Sequence, residues 1–214
     1  MSNQNKKGVN TNSNSYTIIY SVVLVVVVAF LLAFVSQALK AKQDTNVALD
    51  LKKQILASLN IRDLDDKKAE ETYRQVVKSE EKINQEFPIY RCELNGEVKY
   101  VIPLKGMGLW GPISCFISLN ADKETVFGAY FNHESETAGL GAEIKDNLNW
   151  QKQFQGKKLF KEGNKKEIAL AVRKKVEEPS TQVDGVTGAT LTCDGVTLMF
   201  KNGLAQYMDF LNDK

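Results

Sequence analysis

Residues 183–196 read VDGVTGATLTCDGV, with three glycines, three threonines and two aspartates between a charged segment and an apolar one. Within it, Thr187-Gly188-Ala189-Thr190 sits just before a segment of helical periodicity. Thr190, Thr192 or Asp194 could act as its N-cap. Capping explains one or two of these hydroxyls, but it requires neither the small pair Gly188-Ala189 nor Asp184. Those choices suit a Thr190 hydroxyl presented without steric cover to a large reactant, with a bare backbone on which something flat can pack. A phosphate attached there would lie near a helix N-terminus, where free N–H groups and the helix dipole favour negative charge.

Two other glycine-bearing stretches could do chemistry. GMGLWGPI, residues 106–113, places Trp110 among three glycines. It is either an inter-strand turn with Trp110 as core filler, or a loop offering Leu109 and Trp110 as a flat contact surface. HESETAGLGAEI, residues 133–144, joins His133, Glu134 and Glu136 to Thr137, Leu140 and Gly141. A lone histidine with no nucleophile or metal partner nearby argues for polar surface rather than acid/base catalysis. The Gly139-Leu140-Gly141 triplet lacks the third glycine and the crossover of a dinucleotide fingerprint.

These stretches need a scaffold, and 214 residues, 43% hydrophobic and 25% charged, make one ordinary domain plus an appendage. The 28 basic and 26 acidic residues are interspersed, which argues against a nucleic-acid role. The appendage is the uncharged run between Lys7 and Lys40, whose residues 18–38 are almost wholly apolar. At about 1.5 Å rise per residue it matches a bilayer core of roughly 30 Å. The expected organisation is a polar tail over residues 1–15, a transmembrane helix over 16–39, a helical connector over 40–88 and a domain over 89–214. Lys6 and Lys7 before the span, against Lys40, Lys42, Lys52 and Lys53 after it, slightly favour a cytoplasmic C-terminus. Cys92, Cys115 and Cys193 are odd in number and widely spaced, which suits buried free thiols rather than a metal site.

In the connector, Val47, Leu51, Ile55 and Leu59 recur on one helical face. A second, highly charged helix is expected over residues 66–86, packing Tyr73, Val76, Val77 and Ile83 inward. Four short β-branched and aromatic segments follow, at residues 89–94, 98–104, 113–119 and 125–131, and read as a twisted, mainly antiparallel sheet. Further strands are expected near 167–172 and 174–177. From Asp194 onward, Val196, Phe200, Leu204, Tyr207, Met208 and Leu211 share a helical face, so the chain closes with a helix on the sheet. The fold class is α+β.

The segment DGVTGAT resembles the D-x-x-[ST]-G-A-[ST] sequence of the FMN-binding domain family, in which the last hydroxyl carries FMN through a phosphoester. HESETAGLGAEI and the aromatic stretch WQKQFQGK, residues 150–157, resemble further segments of that family, in its order, over about residues 98–200. Together with the N-terminal span and VIPLKGMGLWGPI, the pattern is most similar to the NqrC family, the membrane-anchored flavoprotein subunits of sodium-translocating NADH:ubiquinone reductases. The related flavin-carrying subunit of Rnf electron-transport complexes usually lacks the Gly-Leu-Trp-Gly loop. A non-redox, membrane-tethered scaffold is the alternative of a different class. Ala138, where many relatives have proline, and Thr187, where serine is frequent, depart from the common pattern without removing a hydroxyl or glycine.

The resemblance implies FMN bound covalently to Thr190, with space left by Gly188 and Ala189 and support from Thr187. Asp184 would serve mainly the flavin transferase that installs the cofactor. Leu109, Trp110, Glu136, Thr137, Leu140 and Gly141 would line the isoalloxazine. It further implies an electron relay from NADH toward quinone among partner subunits in a bacterial inner membrane, with the domain on the periplasmic face. No group of this chain would turn over substrate by itself.

Overall fold

In a computed structural model of the chain, residues 11, 13–83 and 86–213 are described. Most of the polar tail, including Lys6 and Lys7, lies outside the described residues. The chain divides after Ala48 into two compact units.

The first unit is the greater part of α1, Asn14–Ser58. An 18-residue window of this helix reaches a mean hydropathy of 3.2, so it is long and apolar enough to cross a membrane. Its valines, leucines and phenylalanines are exposed over residues 22–35. The expected span and the amphipathic helix after it are one uninterrupted helix, since no glycine or proline falls between them.

The second unit starts at Leu49 with the last turns of α1. Then follow α2, Asp66–Val76, and five strands: β1, Val77–Ile83; β2, Phe87–Leu94; β3, Glu97–Met107; β4, Pro112–Asn120; and β5, Val126–His133. They pair antiparallel in the order β1-β2-β3-β4-β5. Short helices α3, Glu143–Asp146, and α4, Leu148–Lys152, precede a parallel pair, β6, Ala171–Arg173, and β7, Gln182–Asp184. Helices α5, Thr190–Ala205, and α6, Met208–Asn212, close the fold. The α+β class and the central antiparallel sheet are as expected.

Two expectations need correction. The helix predicted over 66–86 ends at Val76, and the chain becomes edge strand β1. Adjacent β-branched Val76 and Val77 suit an extended backbone, and pairing with β2 outweighs the helix propensity of the Lys and Glu residues that follow. The strand expected at 174–177 lies instead at 182–184, where it runs parallel to β6.

Alternation along each strand sends successive side chains to opposite faces of the sheet. On one face Tyr90, Cys92, Val101 and Phe116 pack with Ile55 and Leu56 of α1, Leu59 just after it and Ala69 of α2. On the other, Ile102, Cys115, Ile117 and Phe131 pack with Val196, Met199, Phe200 and Leu204 of α5. Phe131, Trp150, Phe154 and Phe200 form an aromatic cluster with ring centroids 5.1–6.0 Å apart. Each such side chain contributes about 1.5–3 kcal/mol by leaving water, so α4 is seated on β5, while α5 packs along β3 with Phe200 reaching Phe131. Cys92, Cys115 and Cys193 are buried free thiols, and burial pushes the Cys92 thiol up to about 12.

Candidate functional site

Strand β7 ends at Asp184, and α5 begins six residues later at Thr190. Ala189 occupies the N-cap position at φ −118° and ψ 39°, and no side chain among the described residues caps the helix. The expectation that Thr190, Thr192 or Asp194 caps α5 is therefore corrected: all three lie inside the helix, and Thr192 has a different partner. The first turn keeps its backbone N–H groups at Thr190, Leu191 and Thr192 without acceptors among the described residues. Such a terminus attracts an anion.

Thr187 and Thr190 are exposed, and neither hydroxyl has a hydrogen-bond partner among the described residues. Gly188 adopts φ +78°, which side chains other than glycine's rarely allow, and a β-carbon there would come within 2.8 Å of Leu140 Cδ2. Thr187, Gly188, Thr190 and Asp194 line an open cleft of about 620 Å³, facing Arg173 and Lys174. This volume lies in the range of small-ligand pockets, roughly 300–1,000 Å³. Arg173 and Lys174 are exposed and have no ion-pair partner among the described residues.

The two cations were missed in the sequence. They reach the cleft because β6 pairs parallel with β7, which sets Arg173 opposite Asp184, and the Gly185 N–H donates to the Arg173 carbonyl at 2.8 Å. Only the basic run at 173–175 beside a short apolar one could have signalled them.

Asp184 is held by its main chain. Its carbonyl accepts from Trp150 Nε1 at 2.8 Å, and its N–H donates to Gln153 Oε1 at 3.0 Å. Its side chain is exposed and makes no hydrogen bond or ion pair among the described residues.

The other two glycine-bearing stretches meet α5 through Glu136. One oxygen of its carboxylate accepts from the Trp110 backbone N–H at 2.8 Å, and the other from Thr192 Oγ1 at 2.6 Å. Burial works against the charge on Glu136. Hydrogen bonds from Thr192 and from the backbone N–H groups of Trp110, Gly111 and Leu109 outweigh it and hold the carboxyl below the usual glutamate range. The Glu136 N–H in turn donates to His133 Nδ1 at 3.3 Å. The Thr137 carbonyl accepts from the N–H groups of Leu140 and Ala142, closing the turn that carries Gly141.

Trp110 is 66% exposed, so it is not core filler, and Leu109 and Leu140 are also exposed. These three, with Glu136, Thr137 and Gly141, do not line the 620 Å³ cleft. Gly188 connects the two regions, since it borders the cleft and faces Leu140. The predicted site residues thus gather around the first turn of α5, as a polar cleft on one side and exposed apolar side chains on the other.

Residues 108–205 match the model of the FMN-binding domain family. The fold matches the crystal structure of the NqrC subunit of the Na(+)-translocating NADH-quinone reductase from Parabacteroides distasonis with a TM-score of 0.76 and 34% identity, covering 82% of this chain and 98% of that one. The chain belongs to the NqrC family. Other NqrC sequences agree: that of Chlamydia muridarum is 40% identical over 126 residues, covering 52% of this chain and 39% of the relative. That of Haemophilus ducreyi is likewise 40% identical over 126 residues, covering 56% and 48%. The chain spans less than half the length of these relatives. NqrC of Shewanella oneidensis, at 18% identity and a TM-score of 0.63, shares the fold.

Proposed function

We propose that this chain is a membrane-anchored flavoprotein subunit that carries FMN in phosphoester linkage to Thr190 and relays electrons within a sodium-pumping NADH:quinone oxidoreductase. The carrying observation is the state of Thr190 among the described residues: an exposed, unengaged hydroxyl at the first residue of an uncapped 16-residue helix, opening on a cleft with two unpaired cations.

The residues present fit that cofactor. A phosphate on Thr190 would meet the free N–H groups of α5 and the charges of Arg173 and Lys174. Gly188, with no side chain, leaves the approach open. Leu109, Trp110 and Leu140 offer exposed apolar surface of the kind an aromatic ring system covers. Bound there, the flavin would supply one- and two-electron chemistry, while the protein fixes its position and electrostatic surroundings.

The exposed Asp184 carboxylate, on a main chain held at both its N–H and its carbonyl, suits recognition by a flavin transferase. Helix α1 would serve as the membrane anchor, with the folded domain on the periplasmic face. The other subunits of the complex would be the electron donor and acceptor.

Mass spectrometry of the peptide containing Thr190, after co-expression with a flavin transferase, tests the assignment. The expected result is an adduct of FMN less water, absent from Thr190→Val. An unmodified wild-type peptide would overturn the covalent linkage, and an adduct persisting in Thr190→Val would move it to another residue.

A further inference from the structure

Glu136 is only 7% exposed, and its carboxylate is directed into the protein. One oxygen takes the Trp110 N–H and the other takes Thr192 Oγ1, two residues along the helix from Thr190. The space it occupies is shaped for it. A β-carbon on Gly108 would fall 2.5 Å from Glu136 Oε1, and one on Gly141 would strike Oε2 while lying 2.7 Å from Thr192 Oγ1. Three segments distant in sequence, the Leu109–Gly111 turn, the turn after β5 and the first turn of α5, thus converge on a single carboxylate. Charge-assisted hydrogen bonds of this kind are roughly twice as strong as neutral ones.

We infer that Glu136 is a positioning residue, an ionic clasp that locks the Leu109–Gly111 turn onto the first turn of α5 and so fixes Trp110 relative to whatever Thr190 carries. Glu136 therefore acts through Trp110 and Thr192 rather than by touching the cofactor. The inference rests on Thr190 as the attachment point for what the clasp does, but the clasp itself belongs to the chain with or without flavin.

Without the clasp, Trp110 would stay tethered by its neighbours in sequence but lose its polar link to α5. The Gly108 N–H donates to the Gly111 carbonyl at 2.9 Å, which closes the turn on itself and gives Trp110 no bond to the helix. Glu136→Gln preserves the shape. Its carbonyl oxygen can still accept from one of the two donors, Trp110 N–H or Thr192 Oγ1, and its amide can donate to the threonine oxygen, so it removes the charge with little change of volume. Glu136→Ala removes both arms. Thr192→Val cuts only the arm to α5 and leaves the carboxylate in place.

The test uses the full chain with these three substitutions, prepared with and without a co-expressed flavin transferase. Two measurements are made: amide hydrogen exchange at residues 109–111, and the visible spectrum and midpoint potential of the flavin. In the unflavinylated chain, Glu136→Ala and Thr192→Val should speed exchange of the Trp110 amide by about tenfold or more, and Glu136→Gln should restore most of the protection. In the flavinylated chain, Glu136→Ala and Thr192→Val should shift both spectrum and potential. Wild-type exchange rates in Glu136→Ala or Thr192→Val would overturn the clasp. So would faster exchange with an unchanged spectrum and potential, which would leave Glu136 a role in folding alone. A wild-type chain without flavin on Thr190 would overturn the attachment assignment instead, while exchange in the unflavinylated chain still decides the clasp.

Discussion

Trp150, buried among Phe131 and Phe154, donates its indole N–H to the main-chain carbonyl of Asp184 at 2.8 Å. An aromatic side chain of the core thereby anchors the loop that ends in Thr190. Trp150→Phe keeps an aromatic ring in the cluster but leaves that carbonyl without its donor. The expected cost is about 1 kcal/mol, a fall in Tm of about 2–4 °C for a unit of this size, together with slower loading of FMN on Thr190. Thermal melts followed by circular dichroism and a timed flavinylation assay check both.

Gly188 holds φ +78° opposite Leu140. Gly188→Ala should cost about 1–2 kcal/mol through the left-handed backbone, lower Tm by about 2–8 °C and reduce flavin loading. Gly188→Asn should retain more of the stability, because asparagine tolerates this backbone region better than alanine. Comparing the two by thermal denaturation separates backbone strain from steric cover of Thr190.

The charge on Glu136 makes the clasp depend on pH in a definite direction. Its carboxyl in the folded chain lies below the ordinary glutamate range, as the bonds from Thr192 and the 109–111 backbone outweigh the effect of burial. The folded state therefore holds its proton less readily than the unfolded state does, and its contribution to stability is complete above the unfolded value of about 4.3. That contribution is lost as pH falls through the lower, folded value. Urea midpoints measured from pH 7 to pH 3 should show an acid-side loss in wild type that is smaller in Glu136→Gln, with the two curves parallel above about pH 5.

Where a pattern repeats locally, the sequence was enough to predict the structure. Strands β2 to β5 carry β-branched and aromatic residues between turn signals, and each appears close to its expected position. Val196, Phe200, Leu204, Tyr207 and Leu211 are buried as their spacing predicts. What the sequence concealed depends on partners far along the chain. Residues 77–83 are charged enough for an exposed helix, and only the free edge of β2 draws them into a strand. The Thr192 hydroxyl reads as a helix cap until Glu136, 56 residues earlier, is found to accept its hydrogen bond. Arg173 and Lys174 are ordinary basic residues in sequence, and the parallel β6–β7 pairing is what faces them to Thr190. At the candidate site, the hydroxyls and glycines were legible as a motif, while the cations and the contacts of Glu136 needed the fold.

Both main-chain polar groups of Asp184 are bonded, to Trp150 and to Gln153, while its carboxylate and the Thr190 hydroxyl stay bare among the described residues. On the proposed attachment at Thr190, a modifying enzyme would therefore meet a loop whose conformational entropy was already lost when the domain folded. Its binding energy need not order the substrate, and that lowers the affinity cost of docking. Attachment on the proposed site would then follow folding, because the fold itself sets the acceptor in place.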